Sequence, residues 1–147
     1  MNCDIASIQI ARPVDKVFAF MSDPARMDQW SFGTWRTKVA ADGLVFGTSI
    51  MDGAPICVRI KAHPEQGLID YLIGPSPKAL VPRIYVRIVP ASNAGAAADQ
   101  SILMMVAMRD GAMSDARWQG LKTAHAFEIE LIKSALETGY DHRMDRG

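Results

Sequence analysis

The sequence predicts an α+β fold in which a curled antiparallel sheet of seven strands wraps one long C-terminal helix. Three observations carry that expectation. A short alternating run opens the chain and leads into two proline-started helical segments that stop at Trp30. Six further strand-like runs, separated by turn residues, fill positions 35–109. One helical pattern of about 25 residues then closes the chain.

Each element has a physical reason. In IASIQI, Ala6, Ile8 and Ile10 alternate with Ser7 and Gln9, the period of a half-buried strand at 5–10. Pro13 suits the first turn of a helix, where its missing N–H costs nothing. Val14, Val17, Phe18 and Met21 follow at helical spacing and form one apolar stripe. Asp23 is placed to cap a second, shorter helix begun by Pro24, with Met27 and Trp30 three residues apart on its inner face. Strands are expected at 35–41, 45–51, 56–63, 68–73, 83–90 and 102–109. The Asp42-Gly43 and Asp52-Gly53 pairs mark hairpins, because such turns need positive φ. The stretch SNAGAAADQ is too small and polar to pack and reads as a mobile hairpin tip. Ser114 caps the final helix, which runs to Thr138 with Gly139 as its left-handed stop. Met113 and Trp118 are spaced as a hydrophobic staple. The helix's apolar stripe is Trp118, Leu121, His125, Ile129, Ile132 and Leu136. At 1.5 Å per residue it spans roughly 37 Å, enough to cross a whole curved sheet.

Composition narrows the function classes. The 147 residues, 49% of them hydrophobic, suit one domain over 1–147 with a sizeable core, and neither a linker nor an internal repeat interrupts them. Sixteen basic and sixteen acidic residues cancel and are scattered. No basic patch is present to neutralise phosphates, so nucleic acid is not an expected partner. No apolar run approaches the roughly 20 residues needed to cross a bilayer, so membrane insertion is not expected either. The N-terminus has no charged region followed by an apolar signal core. A cytoplasmic location with Cys3 and Cys57 as free thiols follows as the expectation.

The stretch IARPVDKVFAFMSDPARMDQW, with Gly47-Thr48 on the third strand and the amphipathic last helix, resembles the SRPBCC superfamily. That superfamily includes START-type lipid-transfer domains, the birch-pollen allergen family and aromatic polyketide cyclases. The resemblance covers essentially the whole chain. It implies a helix-grip fold with two short helices after the first strand and a cavity between sheet and last helix. Such folds host binders, transporters, cyclases and regulators, so the resemblance speaks for fold more than for function.

Alternation suggests which residues face that cavity. Val58 and Ile60 point in, with Cys57, Arg59 and Lys61 outward; Ile84, Val86 and Ile88 point in, with Tyr85 and Arg87 outward. On the last strand Met104 and Val106 are assigned to the cavity side, opposing Leu103 and Met105. The strand at 68–73 admits both phases, Ile69/Tyr71/Ile73 or Leu68/Asp70/Leu72. The candidate ligand contacts are therefore Trp30, Trp35, Val58, Ile60, Tyr71, Val86, Met104, Val106, Trp118, His125 and Ile129.

His125 and Asp70 are the candidates for chemistry. His125 interrupts the apolar stripe, four residues from both Leu121 and Ile129, so it faces the cavity as a polar anchor or a general acid/base. The plainer reading is a core histidine bonded to a carbonyl or hydroxyl. Asp70, in the apolar run LIDYLI, is costly if it turns inward unpaired and ordinary if it faces solvent. His63, His125 and His142 have no metal-site spacing, and no phosphate loop or nucleophile elbow is present. No metal or cofactor is expected. Two functions remain open. One is binding of a small, largely apolar molecule; the other is a polyketide cyclase/dehydratase-like enzyme using His125 for proton transfer. A homodimer stays open.

Overall fold

The computed structural model describes residues 2–145. β1 (Cys3–Ile10) leads into α1 (Val14–Ser22), and a 3-10 turn at Pro24–Arg26 runs into α2 (Met27–Trp30). β2 (Trp35–Val39), β3 (Val45–Thr48), β4 (Pro55–His63), β5 (Leu68–Gly74), β6 (Val81–Pro90) and β7 (Ser101–Met108) follow, and α3 (Asp115–Thr138) lies across them. The seven strands form one sheet in the order β1-β7-β6-β5-β4-β3-β2, antiparallel at every pairing. β1 and β2 are its edges, so the sheet grips the helix without closing into a barrel.

Local chemistry sets the boundaries. The Asp23 carboxylate accepts the Ala25 N–H at 3.0 Å, and the Ser114 hydroxyl accepts the Arg117 N–H at 3.1 Å. Gly139, at φ +73°, stops α3 in the left-handed region. Pro13 stands one position before α1 rather than inside its first turn. In the two Asp-Gly turns, Asp42 and Asp52 accept the N–H groups of Leu44 and Ala54 at 3.1 and 3.0 Å.

The core occupies one end of the grip. Ile129 and Ile132 of α3 pack with Val86, Leu103 and Met105 of the sheet, and α1 adds Val17 and Met21. Each such fully buried side chain contributes about 1.5–3 kcal/mol through removal from water. Pairing register decides the face of β7. Leu103 lies opposite Ile88 and Met105 opposite Val86, and directly opposed residues share a face. Leu103 and Met105 are fully buried, while Met104 and Val106 lie opposite Arg87 and Tyr85 on the convex side. The assignment of Met104 and Val106 to the cavity is therefore corrected. Both faces of SILMMVAM are apolar, so this strand has no phase of its own and takes it from its neighbours. In β5 the choice falls to Ile69 and Tyr71, which are fully buried. Asp70 faces the convex side, with Oδ2 3.6 Å from His63 Nε2, which removes it from the chemistry of the cavity.

Candidate functional site

A cavity of about 340 Å³ lies at the other end of the grip, beside the N-terminal two-thirds of α3. That volume suits a small organic ligand. The helix supplies Leu121, Ala124, His125 and Glu128 at helical spacing; the sheet supplies Ile56, Tyr71, Ile73, Ile84 and Ala107. Trp30 and the following residues 31–34 close a side. These residues are held down twice: Phe32 stacks on Phe127 with centroids 5.7 Å apart, and the Phe32 N–H donates to Glu128 Oε2 at 3.2 Å. Trp30 in turn meets the Tyr71 ring edge-on at 5.9 Å.

The polar groups in this apolar wall are few and mostly paired. His125 is 2% exposed, and its Nδ1 stands 2.9 Å from Asp4 Oδ2. A carboxylate only accepts, so the Nδ1–H of His125 donates to Asp4. Nε2 has no hydrogen-bond partner. Trp30 Nε1 is in the same condition, and among the described residues these are the two buried side-chain polar atoms without one. The Tyr71 hydroxyl donates to the Met21 carbonyl, and burial pushes the phenol above its ordinary pKa. Arg83 pairs with Asp110, and Arg117 pairs with Asp52 at 2.6 Å.

Glu128 is the group that sequence reasoning missed. Burial pushes its carboxyl up to about 8, against the opposing pull of the Phe32 N–H and the Ser31 hydroxyl. The signal was available, since Glu128 lies seven residues after Leu121 and three after His125, on the same helical face. Asp4 was missed too, although its alternation with Ala6, Ile8 and Ile10 places it on the concave face, opposite Ala107.

Of the candidate contacts, Trp30, Tyr71 and His125 line the cavity. Val58, Val86 and Ile129 point to the correct side of their elements but lie deeper, in the packed core. Ile60 is half-buried against that core. Trp118 is buried on α3 with the Lys122 ammonium 5.9 Å over its ring, and it does not reach the cavity. Trp35 is turned away as well. Arg36 sits at φ +51°, the β2–β3 register shifts beside it, and Trp35 lines a separate groove with Phe127 and His142. Among the described residues no group of three or more His, Cys, Asp or Glu is placed to hold a metal ion.

No protein-family model and no curated protein matches the sequence. Solved structures do match in fold. XoxI from Bacillus cereus superposes with a TM-score of 0.69 at 14% identity, covering 95% of this chain and 99% of that one. The Aha1 dimer from Colwellia psychrerythraea gives 0.67 at 15% identity, over 95% and 98%. Zhui aromatase/cyclase from a Streptomyces species gives 0.67 at 13% identity, over 92% and 93%. At these identities the likeness shows the helix-grip fold and leaves activity to be argued from the site.

Glu128 gives the site a pH signature. In the unfolded chain it ionises near the ordinary 4.5, and in the folded protein near 8, so between those values the folded state holds the extra proton. Rising pH then costs stability, by up to about 1.4 kcal/mol per pH unit for one proton. Glu128→Gln has no such proton to lose. Urea melts from pH 5 to 8 are expected to show the wild type falling relative to the variant; parallel curves would mean Glu128 ionises normally in the fold.

Proposed function

We propose that the protein binds a small, largely apolar molecule in the cavity between the sheet and α3, as an SRPBCC-type helix-grip domain folding as one unit. The observation that supports this reading most is the volume of about 340 Å³ between the sheet and α3, walled mainly by apolar side chains. The two free cysteines suit a reducing, cytoplasmic setting. Among the described residues no helix is long and apolar enough to cross a membrane. One fold neighbour is described as a dimer, and self-association of this chain is part of the same proposal.

A second reading is favoured by one observation: two titratable side chains, His125 and Glu128, line the same cavity. In that reading the protein is a cyclase/dehydratase-like enzyme. His125 Nε2 takes a proton from carbon beside a carbonyl, while protonated Glu128 gives its proton to a β-hydroxyl. The hydroxyl leaves as water and the C–H electron pair becomes the new C=C bond. Asp4 stabilises the imidazolium that forms.

Native mass spectrometry of the purified protein tests the first reading. A non-covalent adduct is expected that disappears on denaturation, and Ala124→Trp, which fills the cavity from α3, should abolish it. An adduct of equal abundance in that variant would place the ligand elsewhere. The second reading is tested with 4-hydroxy-4-phenylbutan-2-one, whose dehydration to the conjugated enone is followed by ultraviolet absorbance. Turnover above buffer is expected, falling by roughly 100-fold in His125→Phe or Glu128→Gln. A rate unaffected by either change would remove the enzymatic reading.

A further inference from the structure

The strand order gives the cavity a polar end. The connections at 49–54, 75–80 and 109–114 all leave the same end of the strands, and each lends residues to the lining: Ser49 and Met51, Pro75, Asp110 and Met113. Two cations line the cavity here. Arg83 is the third residue of β6, and Arg117 is the third residue of α3. Their side chains are 24% and 35% exposed, so this end is reached by solvent, whereas Tyr71 in the same lining is fully buried.

Each guanidinium is held by the fold without being used up. Arg83 Nη2 donates to Asp110. Arg117 donates through Nη1 to Asp52 at 2.6 Å and through Nη2 to the Ser49 hydroxyl at 3.2 Å. A guanidinium carries five N–H groups, so Nε and Nη1 of Arg83 and Nε of Arg117 keep donors with no partner among the described residues. The buried side-chain polar atoms without partners are Trp30 Nε1 and His125 Nε2 alone among those residues, so the spare guanidinium nitrogens are accessible. The aspartates are themselves fixed, Asp110 by the Ala112 N–H at 2.8 Å and Asp52 by the Ala54 N–H at 3.0 Å. Both cations are thereby held in place, and little side-chain freedom is lost when a further acceptor arrives.

The balance of charge favours an anionic acceptor over a neutral one. Apart from His125, the lining holds Arg83 and Arg117 against one ionised carboxylate, Asp110; Asp52 lies outside the lining, and Glu128 keeps its proton below about 8. Hydrogen bonds to an ionised acceptor are about twice as strong as neutral ones. A carboxylate deep in the apolar wall would lose its hydration, but one at the solvent-reached end keeps part of it.

We propose that the cavity takes an amphipathic carboxylate, its apolar body set against Tyr71, Ile84 and Leu121 and its head group at the open end, accepting from the spare N–H groups of Arg83 and Arg117. This rests on the reading of the cavity as a binding site, and it specifies the chemical class that fits there.

Three matched naphthols test it by isothermal titration calorimetry at pH 7: 6-hydroxy-2-naphthoate, the neutral 6-acetyl-2-naphthol, and the cationic 6-(aminomethyl)-2-naphthol. The carboxylate should bind best. The acetyl compound should bind roughly tenfold more weakly, the margin of a charge-assisted over a neutral hydrogen bond, and the ammonium more weakly again. In the double variant Arg83→Gln/Arg117→Gln the advantage of the carboxylate over the acetyl compound should vanish. Raising salt from about 0.02 M to about 0.3 M should narrow it in the wild type, because these guanidiniums are part-exposed. An acetyl or ammonium compound that binds as tightly as the carboxylate, or a carboxylate advantage that persists in the folded double variant, overturns the inference while leaving the cavity a binding site. Binding by none of the three overturns both. The wild-type ranking and its salt dependence stand by themselves should the double variant fail to fold.

Discussion

The concave face of the sheet is wider than the strip that one helix covers, and the cavity is what remains between them. Six gaps between seven strands at about 4.8 Å give a sheet roughly 29 Å across, whereas a helix with its side chains is about 10–12 Å thick. The curl narrows that difference without removing it. Towards its C-terminal half α3 is closely packed, with Ile129 and Ile132 set against Val86, Leu103 and Met105. Towards its N-terminal half the same helix stands over an open volume of about 340 Å³. One amphipathic helix therefore serves two purposes along its length, holding the fold at one end and walling a site at the other.

That division explains where polar groups are tolerated. The packed end is apolar, whereas the cavity end carries His125, Glu128 and the nitrogen of Trp30. Most of these groups are answered by the fold itself. Asp4 reaches from the first strand to orient the His125 ring, and Glu128 takes the Phe32 N–H, which fastens residues 31–34 to α3. The nitrogens of Trp30 and His125 are the exceptions. Both atoms are sealed from the open volume as well as from solvent, so their unmet hydrogen bonds are a cost that the fold itself carries.

Much of the fold was legible in the sequence because its cues are local. Proline and aspartate started the short helices, Asp-Gly pairs set two hairpins, and Ser114 and Gly139 bounded α3. The site was legible only in part. Trp30, Tyr71 and His125 were found because a polar or aromatic residue on an apolar face stands out by periodicity. Met104 and Val106 were misplaced because β7 is apolar on both sides, and only its register with β6 and β1 fixes the phase. Trp35 was misplaced because the positive φ of Arg36 breaks the alternation on which the expectation rested. Val58, Val86 and Ile129 show a further limit. Periodicity gives the side of an element that a residue faces, but not how far along the sheet the cavity extends. The Asp4–His125 pair joins positions 121 residues apart, a contact that no local pattern encodes.

The central claim is that a small, largely apolar molecule binds in the cavity lined by Trp30 and His125. The chain has three tryptophans, so its indole N–H signals are few and assignable by single substitution. A titration of ¹⁵N-labelled protein with 6-acetyl-2-naphthol, followed in ¹H–¹⁵N correlation spectra, tests the claim most directly. The Trp30 indole and His125 ring signals should move, because both side chains line the cavity. The Trp35 indole, in its separate groove, should stay in place. A saturable titration in which Trp30 and His125 remain unmoved would contradict the account.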